Sequence, residues 1–173
     1  AGCSVVGCSI RKECDEAPWK ATEIVEAAEL ARRAWNLGAG GIAVITGGEP
    51  TDHDLRPLVS LLRSYMMRVH LETSGARSVD GHPYDWVTVS PKAKDYVQRV
   101  GHTLKVVVTP GMTWSDVLDL DRDTTFFHRY LQPLTQPDGT TNLRQVMDMV
   151  LSGENPGGRW ALSTQAHKTW GVS

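Results

Sequence analysis

An α/β fold, built as a parallel sheet covered by helices, is what this 173-residue sequence predicts. Short apolar runs suited to strands alternate with segments that are apolar at helical spacing. Two of those runs, 42–45 and 106–108, are near-continuously apolar, as strands buried on both faces are. Each run is also followed by small or hydrogen-bonding residues, with Gly or Pro close to most of them.

The first helix is expected from Thr22, a capping residue, to about Leu37, with Ile24, Ala27, Ala28, Ala31, Ala34 and Trp35 on its apolar face. Gly38 to Gly41 ends it and leads to the strand Ile42–Ile45. A second helix over about Leu55 to Met66 turns Leu55, Leu58, Val59, Leu62 and Met66 inward, and the strand Arg68–Glu72 follows. A polar turn with Asp80, Gly81 and Pro83 precedes the strand Trp86–Val89. A short helix at Ala93–Val100, the strand Leu104–Val108, a helix near Trp114–Leu120 and a strand near Phe126–Leu131 continue the pattern. The last helix, Asn142–Leu151, presents Leu143, Val146, Met147 and Val150 to the core, and the strand Trp160–Ser163 completes the series. No linker, repeat or low-complexity tract interrupts it, so residues 1–173 read as one domain.

Composition narrows the class. With 40% hydrophobic and 22% charged residues the chain can bury a sizeable core, which excludes a disordered or collagen-like protein. No apolar run approaches the ~18 residues of a membrane-spanning helix. The net charge is −2 and basic residues do not cluster, so neither a membrane nor a nucleic-acid partner is expected. The chain opens abruptly at Ala1-Gly2-Cys3, without the charged and then apolar pattern of a secretory signal, and further residues are expected ahead of it.

All three cysteines, Cys3, Cys8 and Cys14, fall within the first 14 residues. An odd number in one loop is a poor disulfide framework. Structural zinc wants four ligands, and the nearest histidine is His53. Three thiolates can hold a four-iron cluster and leave one iron open. From C-x4-C-x5-C alone an iron–sulfur site, a zinc site and incidental thiols all stand.

The polar residues after the strands form the second constellation: Thr46-Gly47-Gly48-Glu49-Pro50, Glu72-Thr73-Ser74-Gly75, Ser90-Pro91-Lys92, Thr109-Pro110-Gly111, Gln132-Pro133 and Thr164-Gln165-Ala166-His167-Lys168. In parallel α/β folds the carboxyl ends of the strands line one mouth, where ligands bind. Each segment by itself is ordinary turn chemistry; together they predict a ligand mouth. Glu49 can accept hydrogen bonds from a ligand ammonium, with the two glycines allowing close backbone approach. Lys92 and Lys168 can meet a ligand carboxylate. Asp119-Leu120-Asp121-Arg122-Asp123 fails as a calcium loop, because Thr124 stands where Gly is needed and Tyr130 where Glu is needed. His53, His70, His82, His102 and His128 read as loop or packing histidines, and Trp114, Trp160 and Trp170 as packing anchors.

Gly47-Gly48-Glu49-Pro50, Thr46 before it, Glu72–Gly75, Ser90–Lys92, Leu104–Val107, Leu131–Pro133 and the run Leu162–Lys168 together resemble the 7-carboxy-7-deazaguanine synthase family of the radical S-adenosylmethionine (SAM) superfamily, which serves queuosine biosynthesis. The resemblance covers nearly the whole chain and implies a partial (β/α)6 TIM-like barrel. It implies that Cys3, Cys8 and Cys14 hold a [4Fe–4S] cluster. It further implies that Gly48, Glu49, Thr73, Ser90, Lys92 and Gln132 hold SAM, and that Thr46, Gln165 and His167 touch the substrate, 6-carboxy-5,6,7,8-tetrahydropterin. One electron from the cluster would cleave the sulfonium and give a 5′-deoxyadenosyl radical. Hydrogen abstraction, ring contraction and loss of ammonia would give 7-carboxy-7-deazaguanine, with Mg²⁺ assisting. A cytoplasmic homodimer reduced by an electron donor such as flavodoxin is implied in the same way.

The sequence departs from the family pattern in places. The common cysteine spacing is C-x3-C-x2-C, so an enlarged cluster loop is expected here. Glu13 stands where an aromatic residue usually precedes the last cysteine. The family's Cys-Asp-Thr places the Mg²⁺ ligand on Thr; here the run is Cys14-Asp15-Glu16, and Glu16, a hard oxygen donor, would take the metal. The synthases carry a first strand and pterin-contacting residues upstream of the cluster loop, so the chain reads as a barrel without its N-terminal strand. The alternatives are a radical SAM activase or other radical SAM enzyme with a different substrate, and a non-catalytic zinc or iron–sulfur module.

Overall fold

Apolar strands must find partners for their backbone groups, and among the described residues every pairing between strands is parallel. The structure, a computed structural model, describes residues 24–136 and 138–164. Strands β1 (Ile42–Ile45), β2 (Arg68–Thr73), β3 (Trp86–Val89), β4 (Val100–Val108), β5 (Thr125–Pro133) and β6 (Trp160–Leu162) lie in sequence order across one six-stranded sheet. Helices α1 (Ala27–Leu37), α2 (Arg56–Ser64), α3 (Trp114–Asp121) and α4 (Leu143–Leu151) and two short 3-10 turns, Pro50–Asp52 and Pro156–Gly158, are the other regular elements among the described residues. Val59 and Leu62 of α2 pack with Val69, while Val117 and Leu120 of α3 and Val146 of α4 share a core with Leu104, Val106, Val108 and Leu131. Trp114 and Trp160 anchor this core with ring centroids 6.1 Å apart; Trp170 lies outside the described residues.

Six parallel strands in sequence order are what the expected barrel and the structure share. The sheet itself is open: among the described residues β1 pairs only with β2, and β6 only with β5. One consequence overturns the expectation of burial on both faces for the first strand. Ala43 and Ile45 pack under the helices, but Ile42 and Val44 point to the other face and are 45% and 54% exposed.

Other differences have local causes. Helix α1 begins at Ala27, behind an extended Glu26, and not at Thr22, which lies outside the described residues; Ile24 is therefore off the helix and 97% exposed, and Ala28 is exposed as well. Trp35 covers Tyr65 at a ring distance of 6.1 Å while remaining partly open to solvent. No helix forms over residues 93–100. Tyr96 and Gln98 are buried with Val97 exposed between them, the period of extended chain. The Tyr96 hydroxyl donates to the Leu120 carbonyl at 2.7 Å, and the Gln98 carboxamide accepts from Val79 N at 2.8 Å and donates to the Val100 carbonyl at 2.6 Å. Met147 lies on the surface because the inward face of α4 runs through Val146, Met149 and Val150.

Met66 was expected inside; it is 85% exposed, and Met67 takes the buried place. Helix α2 ends in a left-handed turn at Met66 (φ 57°), with Met66 N donating to Arg63 O at 2.8 Å and Met67 N to Leu62 O at 3.1 Å. This is the Schellman pattern, with methionine where glycine is favoured. Met66→Gly is expected to stabilise the protein by about 1 kcal/mol, read as a rise of a few degrees in Tm.

The strand register also gathers three histidines that are far apart in the sequence. His70, His102 and His128 surround Trp86 at ring distances of 6.0, 4.7 and 5.6 Å. His102 also accepts from Val87 N through Nδ1 at 3.0 Å, while His128 stays exposed. Burial, reinforced by the nearby Arg68 charge, holds the His70 imidazole below its usual pKa.

Candidate active site

With every strand running the same way, the carboxyl ends of all six share one edge of the sheet. The segments expected to form the mouth, the last of them described only as far as Thr164, follow or close the strands on that edge. Neighbouring segments are tied through the backbone: Ser90 N donates to Thr73 O at 2.8 Å, and Ser163 N to Leu131 O at 2.8 Å.

Glu49 is the most connected side chain of the edge and is 5% exposed. Its Oε1 accepts from Thr73 Oγ1 at 2.7 Å, from Thr51 Oγ1 at 2.6 Å and from Thr51 N at 3.1 Å. Its Oε2 accepts from Ser74 N at 2.8 Å and from the Ser74 hydroxyl. Burial alone drives its pKa up; the hydrogen bonds from Ser74, Thr51 and Thr73 outweigh it and hold the carboxyl below its usual value. The carboxylate thus fastens the Gly47-Gly48 turn, where Gly47 takes φ 118°, to the end of β2.

Thr73 has a second task in the same knot, since its Oγ1 accepts from Gly75 N at 3.0 Å. Beside it Ser90 and Lys92 are half-buried, and Lys92 Nζ lies 3.4 Å from Ser90 Oγ. Gln132 is half-buried near the end of β5, opposite Val107 of β4. Gly48 is half-buried and Thr46 exposed at the end of β1. The structure therefore brings Glu49 into direct contact with Thr73, and Ser90 with Lys92. Cys3, Cys8, Cys14, Glu16, Gln165 and His167 lie outside the described residues. Among the described residues no group of three or more His, Cys, Asp or Glu side chains is placed to hold a metal ion, and no helix is long and apolar enough to cross a membrane.

One pair of residues was overlooked in the sequence. Lys105 Nζ donates to Glu72 Oε2 at 2.8 Å, reaching from β4 to β2 across β3. The signal was present: Lys105 interrupts an apolar strand, and with Leu104 and Val106 in the helix-covered core it stands on the opposite face. A lysine with most of its side chain covered and a carboxylate partner puts a charged pair on the open face, one residue below Thr73. Lys105→Met, which keeps the length and removes the charge, is expected to lower turnover about tenfold while shifting Tm by no more than a few degrees, measured by steady-state assay and thermal unfolding.

A parallel sheet in sequence order, with hydrogen-bonding residues gathered at its carboxyl edge, is the layout of an α/β enzyme domain. The comparisons with known proteins narrow that class. The 7-carboxy-7-deazaguanine synthase of Synechocystis sp. is 32% identical over 157 residues, covering 87% of this chain and 68% of that protein. The synthase of Escherichia coli K12 is 33% identical over 136 residues, covering 72% of this chain and 58% of that protein. The crystal structure of QueE from Escherichia coli superposes with a TM-score of 0.56 at 28% identity, over 82% of this chain and 64% of that one. No family model matches the chain. The chain belongs to the 7-carboxy-7-deazaguanine synthase family, the radical SAM lyases that its motifs resemble.

Proposed function

We propose that the chain provides the cofactor-holding sheet of an enzyme that converts 6-carboxy-5,6,7,8-tetrahydropterin to 7-carboxy-7-deazaguanine with loss of ammonia, in queuosine biosynthesis. One observation carries the reading. The GGEP, ETSG and SPK segments stand at the ends of three consecutive strands, joined by Glu49 to Thr73 and Ser74 and by Ser90 N to Thr73 O. The same layout supports reading the open sheet as a partial barrel.

In this assignment Cys3, Cys8 and Cys14 hold a [4Fe–4S] cluster and Glu16 meets Mg²⁺. Gly48, Glu49, Thr73, Ser90, Lys92 and Gln132 hold SAM, while Thr46, Gln165 and His167 contact the pterin. The donor set suits a charged amino-acid nucleoside: a lysine ammonium, a serine hydroxyl and a carboxamide, all half-buried. Bound together, the cluster and SAM supply the one-electron chemistry that starts the rearrangement. The chain's own residues place the ligands and limit water. Glu49 keeps the Gly47-Gly48 turn in place, Lys92 and Ser90 offer hydrogen-bond donors, and the Glu72–Lys105 pair lies on the sheet's open face. A cytoplasmic homodimer reduced by flavodoxin completes the proposal.

Anaerobic reconstitution of the full chain with iron and sulfide is expected to give about four irons per chain and a ~410 nm shoulder. The loaded protein should then cleave SAM under reductant and release carboxydeazaguanine when given the pterin. Cys8→Ala should remove both the colour and the cleavage. A protein that stays colourless, or that retains zinc without cleaving SAM, would overturn the reading. Cleavage with the pterin untouched would point instead to an activase.

A further inference from the structure

The ladder between β4 and β5 ends with Val108 opposite Pro133. One step further, a parallel ladder would join the Val108 carbonyl to the Leu134 amide. A side chain stands between them instead. Asn142, just ahead of α4, donates from Nδ2 to Val108 O at 2.9 Å and accepts at Oδ1 from Leu134 N at 2.8 Å. Its own backbone N also donates to Leu134 O at 3.4 Å. A carboxamide can do this because it offers a donor and an acceptor in one plane; a carboxylate has no donor for the Val108 carbonyl.

Gln145 extends the brace. Asn142 Nδ2 donates to Gln145 Oε1 at 3.1 Å, and Gln145 Nε2 donates to Thr109 O at 3.3 Å and Met112 O at 3.2 Å. Two amide side chains at the start of α4 therefore hold the segment after β4 on one side and the segment after β5 on the other. Both segments lie on the mouth edge, and Gln132 is only two residues before the clamped Leu134.

We infer that Asn142 and Gln145 are positioning residues that keep β4 and β5 parted at the mouth and so fix Gln132 and the Thr109 loop against bound SAM. The inference rests on the functional reading above, which assigns Gln132 to the cofactor. Neither amide need touch the ligand. Their effect is to set the spacing between two rim segments that backbone pairing would otherwise draw together.

The test compares Asn142→Asp and Gln145→Met with wild type as full-chain, iron-reconstituted protein. Asp85→Ala serves as a control, because Asp85 accepts from Val69 N at 2.8 Å at the opposite edge of the sheet and its loss weakens the fold away from the mouth. Both amide variants are expected to raise KM for SAM about tenfold or more, with kcat and KM for the pterin within about twofold. Asp85→Ala should lower Tm and leave all three constants within about twofold. Unchanged KM for SAM in folded amide variants, or losses spread over every constant as in a generally weakened protein, would overturn the inference. Should Asn142→Asp fail to fold, Gln145→Met decides alone. Wild-type protein that neither binds nor cleaves SAM would instead sink the functional reading, and the inference with it.

Discussion

Glu49→Ala is expected to destabilise the protein by about 3 kcal/mol, a fall of roughly 6–12 °C in Tm. Little of this is lost apolar contact. The substitution leaves the Thr73 and Ser74 hydroxyls and Ser74 N without the acceptor that they share inside the protein. The GGEP turn would also lose its tether to β2, so SAM binding should fall together with stability. The effect has a pH signature. Because the folded carboxyl is held below its usual value of 4.5, its contribution is complete above that pH and disappears as pH falls through the folded value. Denaturant unfolding from pH 7 down to pH 3 should show wild type losing its advantage over Glu49→Ala in the acid range. An advantage that stays constant across that range would show that the carboxylate is not the stabilising species.

Gly75→Ala is the second large effect, expected at about 2–4 kcal/mol. Gly75 sits at φ 77°, where a side chain is strained in any surroundings. A Cβ there would also meet Val89 Cγ1 at 2.8 Å and Tyr96 Cδ2 at 3.0 Å, both within the main core. The Gly75 carbonyl accepts from Val97 N at 2.8 Å and Gln98 N at 3.0 Å, so a shift there would be passed to the β3–β4 crossover. Thermal unfolding measures the cost, and a Tm within two degrees of wild type would mean that the loop can move aside.

The strands were the most legible part of the fold. Runs such as Ile42–Ile45 and Trp86–Val89, bounded by Gly, Pro and Asp, became strands at those residues. Their order followed because short parallel crossovers leave few other routes. The segment 93–100 was misread because its spacing admits a helix, whereas the burial of Gln98 depends on partners at Val79 and Asp80 that no local pattern reveals. Met66 was misread because apolarity says nothing of the turn that follows a helix. At the site, residue types and their positions after strands were legible, since a polar cluster following an apolar run is a one-dimensional signal. Partners were not. Glu49 finds Thr51 two residues on, yet it also finds Ser74 at a separation of 25 residues, and Asn142 reaches Val108 at 34. Those distances close only when the sheet has formed.

The sequential order of the sheet has a consequence for how such a protein can change over generations. Each rim segment hangs from its own strand above a shared core, so exchanging one for another leaves the frame intact, much as fittings are swapped on a chassis. Ties between neighbours set the limit: the first two segments, welded through a single acidic side chain, can be altered only as a unit, and the stretches after β4 and β5, which share two amides at the start of α4, must likewise change together.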